Sequence, residues 1–338
     1  TALLLSGCVQ EVKPVKLETL QDFQSQKIKW RTCYDSLKCA DVLVPIDYTN
    51  IKLGTFRISM LKHEATNKKD RIGSMFVNPG GPGASGVEYA YQAEYIVSPQ
   101  LLALFDIVGF DPRGIGRSAP IRCLTDDETD ANYASDAKPD NAQEFDTLVK
   151  EAQDYVAKCE TNTKNLTAYS TENTARDMDV IRAVLGDKKL NYLGKSYGTY
   201  LGTIYAQLFP DKVGRLVLDG AIDPDATPVQ QSITQAVGFD NALDAFIKDC
   251  LQIDTCPLPN DATKQYFTDL FDSVAKKPLT TRTERIATES LVVLGTASAL
   301  YDNESGWPML RVALKQAKTG NGYMFLSLAD AYTGRQLN

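Results

Sequence analysis

The sequence predicts an α/β fold, a mostly parallel sheet flanked by helices. From residue 40 onward, short apolar runs alternate with helix-like segments, which is typical of strands joined by crossover helices. The first two runs are predicted to form an antiparallel pair, and the later ones, apolar throughout, to form buried parallel strands. The predicted strands are 40–46, 55–61, 72–77, 104–109, 190–193 and 215–218.

Helical periodicity dominates the remaining segments. Residues 172–185 place apolar side chains on one face, with Thr171 available to cap the start and Gly186 to end the helix. After residue 223 no similar apolar strand follows, and amphipathic helices are predicted at 229–250, 262–276 and 308–317. We therefore expect residues 40–224 to be the first part of a core and 225–338 to be an incomplete, inserted helical cap.

Composition and charge exclude several classes of protein. The 43% apolar and 23% charged content is that of a globular protein. A net charge of −7 argues against nucleic acid as a partner, because phosphate binding needs a basic face. No stretch approaches the ~20 apolar residues that span a bilayer.

Residues 1–8 resemble the end of a bacterial lipoprotein signal, an apolar run followed by Ser6, Gly7 and Cys8. In that interpretation Cys8 is lipidated and anchors the protein to the outer face of the cell membrane, or the protein is secreted. No initiator Met or basic segment precedes the run, so we expect the start of the signal to be missing. A buried N-terminal strand is the alternative. Residues 9–39 are predicted to form a tether, since Val9 to Lys29 is polar.

Seven cysteines support export. With Cys8 set aside for lipid, an even number remains, which in an exported chain predicts disulfides. Nearest-neighbour pairing is the simplest arrangement: Cys33–Cys39, Cys123–Cys159 and Cys250–Cys256. A metal site is the competing hypothesis. It lacks ligands, because the chain has no C-x-x-C motif and a single histidine, His63.

The motif that points to chemistry is Gly-Lys-Ser-Tyr-Gly at 194–198, after a predicted strand and before a predicted helix. A serine at such a sharp turn is held above the sheet at the N-terminus of a helix, where partial positive charge stabilises an oxyanion. We therefore predict Ser196 as a nucleophile.

A glycine-rich loop, Asn-Pro-Gly-Gly-Pro-Gly, follows the third predicted strand at 78–83. Loops at this position supply one oxyanion-hole N–H, and the residue after the nucleophile supplies the other. The N–H groups of Gly81 and Tyr197 are the predicted donors. A phosphate-binding loop would need a G-K-[ST] ending, which is absent. An ordinary turn remains the plain alternative.

A third motif, Asp-Pro-Arg-Gly-Ile-Gly-Arg-Ser at 111–118, ends the fourth predicted strand. We interpret Asp111 and Arg113 as structural residues that hold the loop beside the oxyanion strand. A direct catalytic role for either is the less favoured alternative.

Together with Val-Leu-Asp-Gly-Ala-Ile-Asp-Pro at 217–224, these motifs resemble those of the secreted bacterial tripeptidyl aminopeptidases. These enzymes are prolyl-aminopeptidase-like α/β-hydrolases, and close relatives are called carboxylesterases. The resemblance covers about 41–224 and continues loosely beyond. It implies an α/β-hydrolase fold with a helical cap, cofactor-free removal of tripeptides from the free N-termini of peptides, and a Ser-His-Asp triad.

The chain departs from this pattern because it lacks the expected histidine base. In this fold the acid and the histidine follow the serine in the chain, but no histidine follows Ser196. We therefore expect the last core strands to be missing and this chain alone to be inactive. Asp219 is an alternative acid; Asp219 and Asp223 are also candidates to shape the hinge of the cap or to bind a substrate ammonium.

Three functions remain open: a serine exopeptidase, a carboxylesterase, and a non-catalytic surface lipoprotein of the same fold. The first two share the nucleophile and the oxyanion hole, so the sequence does not separate them.

Overall fold

The computed structural model of the protein describes residues 17–34 and 36–335. The chain folds into two compact units. Unit 1 contains the chain up to Ile121 together with Lys164–Pro224, and unit 2 contains Arg122–Thr163 together with the chain from Asp225. The predicted signal and its Cys8 lie outside the described residues.

Unit 1 is built on a seven-stranded mixed sheet in the order β1-β2-β3-β5-β4-β6-β7. The pairs from β1 to β5 are antiparallel, whereas β5, β4, β6 and β7 run parallel. Every predicted strand is present, and β1 is additional. The strands are β1 Arg31–Cys33, β2 Leu37–Pro45, β3 Thr55–His63, β4 Gly73–Asn78, β5 Phe105–Phe110, β6 Leu190–Lys195 and β7 Val213–Asp219.

Helices cover both faces of this sheet. Apolar side chains of β2, β3 and the helices α7 and α8 pack on one face, and those of α2 and α4 pack on the other. Both clusters are buried, which is the arrangement expected around continuously apolar parallel strands. The helices of unit 1 are α1 Leu20–Gln24, α2 Gly86–Tyr91, α3 Ala93–Ile96, α4 Pro99–Leu104, α7 Thr171–Val184 and α8 Tyr197–Leu208.

The predicted tether over 9–39 is wrong for its described part. Phe23 of α1 is fully buried in the core, and β1 pairs with β2. Gln26 both donates to the carbonyl of Leu43 (2.7 Å) and accepts from its N–H (3.0 Å). This segment is therefore fixed by a few irregularly spaced apolar side chains, Phe23 and Trp30 among them, and by polar contacts, which together produce no periodic apolar pattern.

The cap of α7 also differs from the prediction. Ser170, not Thr171, caps the helix, since its hydroxyl accepts from the Asn173 N–H at 3.2 Å. Thr171 is the first helical residue, and its hydroxyl contacts a tyrosine of the site described below. Gly186 follows the helix with φ +80°, as expected of a residue that ends one.

Unit 2 is helical, and it includes a segment that the sequence placed in the core. Residues 122–163 belong to unit 2. Polar contacts such as those of Asp130 with Arg285 and Arg335 attach them, and Ala134 packs on a small apolar cluster there. Its core is rich in aromatic rings, with Phe246, Phe267 and Phe325 fully buried. The helices of unit 2 are α5 Asp126–Ala134, α6 Ala142–Asn162, α9 Pro228–Cys250, α10 Lys264–Lys276, α11 Glu289–Leu300, α12 Gly306–Ala317 and α13 Tyr323–Thr333.

The predicted disulfide pairing is confirmed: the structure contains Cys33–Cys39, Cys123–Cys159 and Cys250–Cys256. Disulfides persist in oxidising compartments, so these bonds indicate an extracytoplasmic protein. Among the residues that the structure describes, no helix is both long enough and apolar enough to span a bilayer.

Candidate active site

Ser196 lies at the sharp turn between β6 and α8 and is exposed. Its backbone has φ 52° and ψ −122°, a conformation that costs a non-glycine residue about 1–3 kcal/mol. Contacts on both sides hold it there. The Ser196 N–H donates to the carbonyl of Asp219 at 2.9 Å, and the Thr199 hydroxyl donates to the Ser196 carbonyl at 2.7 Å. The turn therefore presents its side chain at the start of a helix.

The glycine loop after β4 touches this turn. Gly80 has φ +92°, and a Cβ atom there would lie 2.4 Å from the Lys195 carbonyl oxygen and 3.0 Å from the Tyr197 nitrogen. Only glycine allows so close an approach. The Gly80 N–H is engaged by the Asn78 side chain at 2.9 Å.

The predicted oxyanion donors are next to this contact. Gly81 follows Gly80 and is exposed, and Tyr197 follows Ser196. Within the described part of the chain, neither the Gly81 N–H nor the Tyr197 N–H donates to an acceptor of the protein. The structure thus leaves both donors available beside the serine, although Gly80 is the residue that packs against the turn. Their role as an oxyanion hole stays a prediction.

Two tyrosines fix the start of α8. The buried Tyr192 hydroxyl donates to the carbonyl of Gly198 at 2.7 Å. A Cβ atom at Gly198 would lie 2.8 Å from the Asn78 side-chain oxygen, so α8 is packed tightly against the end of β4. The Tyr197 hydroxyl lies 2.6 Å from the Thr171 hydroxyl, and burial raises the pKa of Tyr197. Sequence reasoning misses these tyrosine contacts, because their partners lie on other elements.

Asp111 has the structural role that the sequence suggested. It is fully buried, and its carboxylate accepts from the Ser85 hydroxyl and from the Val87 N–H at 3.2 Å. Its second oxygen accepts from the Arg117 N–H at 2.9 Å. Asp111 therefore pins the beginning of α2, directly after the glycine loop.

Arg113 is equally structural. Its guanidinium binds both oxygens of Asp177, at 2.8 and 2.6 Å, and neither side chain is exposed. It also donates to the main-chain carbonyls of Pro45, Ile46 and Ala168. These bonds tie the end of β2 to α7.

Asp219 lies at the end of β7, on the side of β6 opposite β4 and its glycine loop, and Asp223 is in the segment that follows β7. Asp219 is the register partner of Lys195, and its carboxylate lies 3.8 Å from the Lys195 ammonium. Asp223 is exposed. A role for either as acid or as ligand of a substrate ammonium stays a prediction.

His63 is not placed to serve as the base. It lies at the end of β3, three strands from β6, which is roughly 14 Å at the usual strand spacing. Its Nε2 atom is 3.7 Å from a carboxylate oxygen of Glu94. Since it is the only histidine of this sequence, the group that would activate Ser196 is not a histidine of this chain.

Comparison with known proteins gives one family. The family model described as the alpha/beta hydrolase fold matches residues 73–303. That range contains the glycine loop, Ser196 and Asp219.

Named relatives cover different shares of the chain. Serine protease Hip1 of Mycobacterium tuberculosis is 34% identical over 99% of this chain and 68% of its own length. Carboxylesterase B of the same organism is 38% identical over 90% of this chain and 61% of its own length. Tripeptidyl aminopeptidase of Streptomyces coelicolor is 38% identical over 63% of this chain and 42% of its own length. The chain thus corresponds to only part of each relative.

Proposed function

The chain belongs to the α/β-hydrolase fold family, and we propose that it carries the serine nucleophile of an exopeptidase that releases tripeptides from free N-termini. The observation that carries this proposal is the conformation of Ser196. It is an exposed residue at positive φ, flanked by the unengaged N–H groups of Gly81 and Tyr197. Strain of this kind at a helix N-terminus is typical of a nucleophile elbow.

The proposed chemistry is acyl transfer. The Ser196 hydroxyl oxygen attacks the scissile carbonyl, and the N–H groups of Gly81 and Tyr197 stabilise the resulting oxyanion. Collapse of this intermediate expels the amine of the leaving peptide and forms an acyl-enzyme, which water hydrolyses. A base must take the serine proton and give it to the leaving amine. His63 lies too far away, so we expect this chain alone to be inactive and the base to come from elsewhere in the whole protein.

Peptidase and esterase activity use the same nucleophile, and the names of the relatives support both. Two are named as peptidases and one as a carboxylesterase. We favour the exopeptidase because the sequence motifs resemble those of tripeptidyl aminopeptidases. A carboxylesterase is the second candidate.

The two candidates are separated by assays on the protein from its complete reading frame. We expect hydrolysis of a tripeptide p-nitroanilide with a free N-terminus and little hydrolysis of its N-acetylated form. Ser196→Ala should remove this activity, since loss of a catalytic serine lowers kcat by roughly 10⁶-fold. Preferential cleavage of a p-nitrophenyl ester would favour the carboxylesterase. No turnover of either substrate would favour a non-catalytic lipoprotein.

We further propose that the protein is held at the outer face of the cell membrane by lipid on Cys8. The disulfides support the compartment, and the lipoprotein-like residues 1–8 support the anchor. Cells fed radiolabelled palmitate should label the protein, and Cys8→Ala should release it from the membrane fraction. Equal labelling of the variant would contradict the anchor.

A further inference from the structure

Three polar side chains form a group beside the elbow that the proposed chemistry does not use. They are Tyr89 on α2, Lys195 at the end of β6 and Asp219 at the end of β7. Lys195 directly precedes the nucleophile. The group therefore joins the helix after the glycine loop, the elbow strand and the next strand of the sheet.

Asp219 holds the elbow at two points. Its carbonyl accepts from the Ser196 N–H at 2.9 Å, and its carboxylate lies 3.8 Å from the Lys195 ammonium. The two residues are direct neighbours in the β6–β7 register. The carboxylate therefore already faces a cation of the protein, which argues against its use as a ligand of a substrate ammonium.

Tyr89 on α2 lies close enough to Lys195 for the lysine charge to lower the pKa of the tyrosine. The hydroxyl oxygen of Tyr89 is buried and has no hydrogen-bond partner within the described part of the chain. Burial raises the pKa of Tyr89, and the charge of Lys195 opposes that rise. A buried hydroxyl without a hydrogen-bond partner is unfavourable, so a small movement of the flexible Lys195 side chain that made this bond would be favoured.

We propose that Lys195 is a positioning residue, held by Asp219 so that the elbow keeps its place relative to the glycine loop. This inference rests on the function proposed above. For acyl transfer, the Ser196 oxygen and the N–H groups of Gly81 and Tyr197 must keep one arrangement around the reacting carbonyl. Asp219 then acts through Lys195 rather than as the acid of a triad.

We expect loss of the Lys195–Asp219 pair to slow the chemical step. A displacement of about 1 Å can slow a reaction about a hundredfold. The elbow is still held by its main-chain hydrogen bond, so we expect loss of the Lys195–Asp219 contact to slow the reaction less, by roughly tenfold. Because the pair does not contact the leaving peptide in this account, KM should change by less than about twofold while kcat falls.

The test uses the protein from its complete reading frame and its kinetics with a p-nitrophenyl ester, together with the rate of Ser196 labelling by a fluorophosphonate. The variants are Lys195→Met, Asp219→Asn and the double variant, with Lys195→Arg as the conservative change. Lys68→Met is the matched control, since Lys68 forms an exposed ion pair with Glu64 at 3.3 Å in the same unit. Thermal unfolding of each variant shows that it is folded.

We expect Lys195→Met and Asp219→Asn each to lower kcat and the labelling rate about tenfold. The double variant should be no slower than either single variant, since both remove one interaction. Lys195→Arg should recover most of the rate, and Lys68→Met should be unchanged.

Two other results would overturn the inference. If Asp219→Asn abolished activity while Lys195→Met did not, Asp219 would act as an acid on its own. If both variants kept the parental rates, the pair would have no positioning role. A parental protein that neither turns over the ester nor labels at Ser196 would instead refute the proposed function, and this inference with it.

Discussion

Two ion pairs of unit 1 lie close to the ends of its strands, and they differ in almost every physical respect. Arg113 and Asp177 are completely buried and meet in a bidentate contact at 2.6 and 2.8 Å. Lys195 and Asp219 are 46% and 62% exposed and meet at 3.8 Å. The first pair ties β2 to α7, and the second lies beside Ser196.

The buried pair is expected to stabilise the fold, whereas the exposed pair is expected to affect the candidate active site. A buried pair is desolvated, so removal of one partner leaves an uncompensated charge in the interior. An exposed pair loses little free energy when it is broken, because water replaces the partner. We therefore expect stability to depend on Arg113 and reactivity to depend on Lys195, although both are cations paired with one aspartate.

The largest effect on stability is expected for Arg113→Met. Of the described residues, the Tyr48 hydroxyl alone would remain bound to the buried Asp177, at 2.7 Å. We expect the free energy of unfolding, measured by urea denaturation, to fall by about 3–5 kcal/mol. The control is Arg117→Met, since Arg117 is 49% exposed and 3.8 Å from Asp111, and it should lose less than about 1 kcal/mol. Equal losses of unfolding free energy for the two variants would show that burial of the ion pair does not decide its contribution to stability.

A smaller loss is expected where the glycine loop meets the elbow. Gly80→Ala adds a methyl group 2.4 Å from the Lys195 carbonyl oxygen, at φ +92°. We expect about 2–4 kcal/mol of destabilisation from strain and overpacking together, and loss of Ser196 labelling. Gly186→Ala is the matched control, because Gly186 has φ +80° and open space around it. It should lose only about 1 kcal/mol and should keep its reactivity; similar results at both positions would show that the contact is unimportant.

The smallest effect on stability is expected for Lys195→Met and Asp219→Asn. Each should change the free energy of unfolding by less than about 1 kcal/mol, because the pair is exposed. A loss of unfolding free energy near that of Arg113→Met would mean that Lys195 stabilises the fold as much as Arg113 does.

The sequence predicted the elements of unit 1 well, because its strands are continuously apolar and its motifs follow those strands. It did not predict β1, which has three residues and is held by pairing with β2 and by the Cys33–Cys39 disulfide. It also assigned 122–163 to the core. That error arose because the segment is attached to unit 2 by contacts between residues far apart in the chain, such as the ion pair of Asp130 and Arg335.

At the candidate site, the sequence identified Ser196 and the glycine loop but not what holds them. Asp111 was recognised as structural, yet its partner Ser85 lies 26 residues away. The motif predicts Gly81 as an oxyanion-hole donor from its position, whereas Gly80 makes the contact with the elbow. Tyr89 was missed because a tyrosine on a short helix carries no signal until the fold brings it to Lys195.

Covalent labelling shows whether Ser196 is a nucleophile. The protein from its complete reading frame is treated with a fluorophosphonate, digested with trypsin and analysed by mass spectrometry. Cleavage after Lys195 and Lys212 releases a peptide in which Ser196 is the only serine. We predict that this peptide carries the adduct and that Ser196→Ala abolishes both labelling and hydrolysis. An adduct on a different residue, or hydrolysis that survives Ser196→Ala, would show that Ser196 is not the nucleophile.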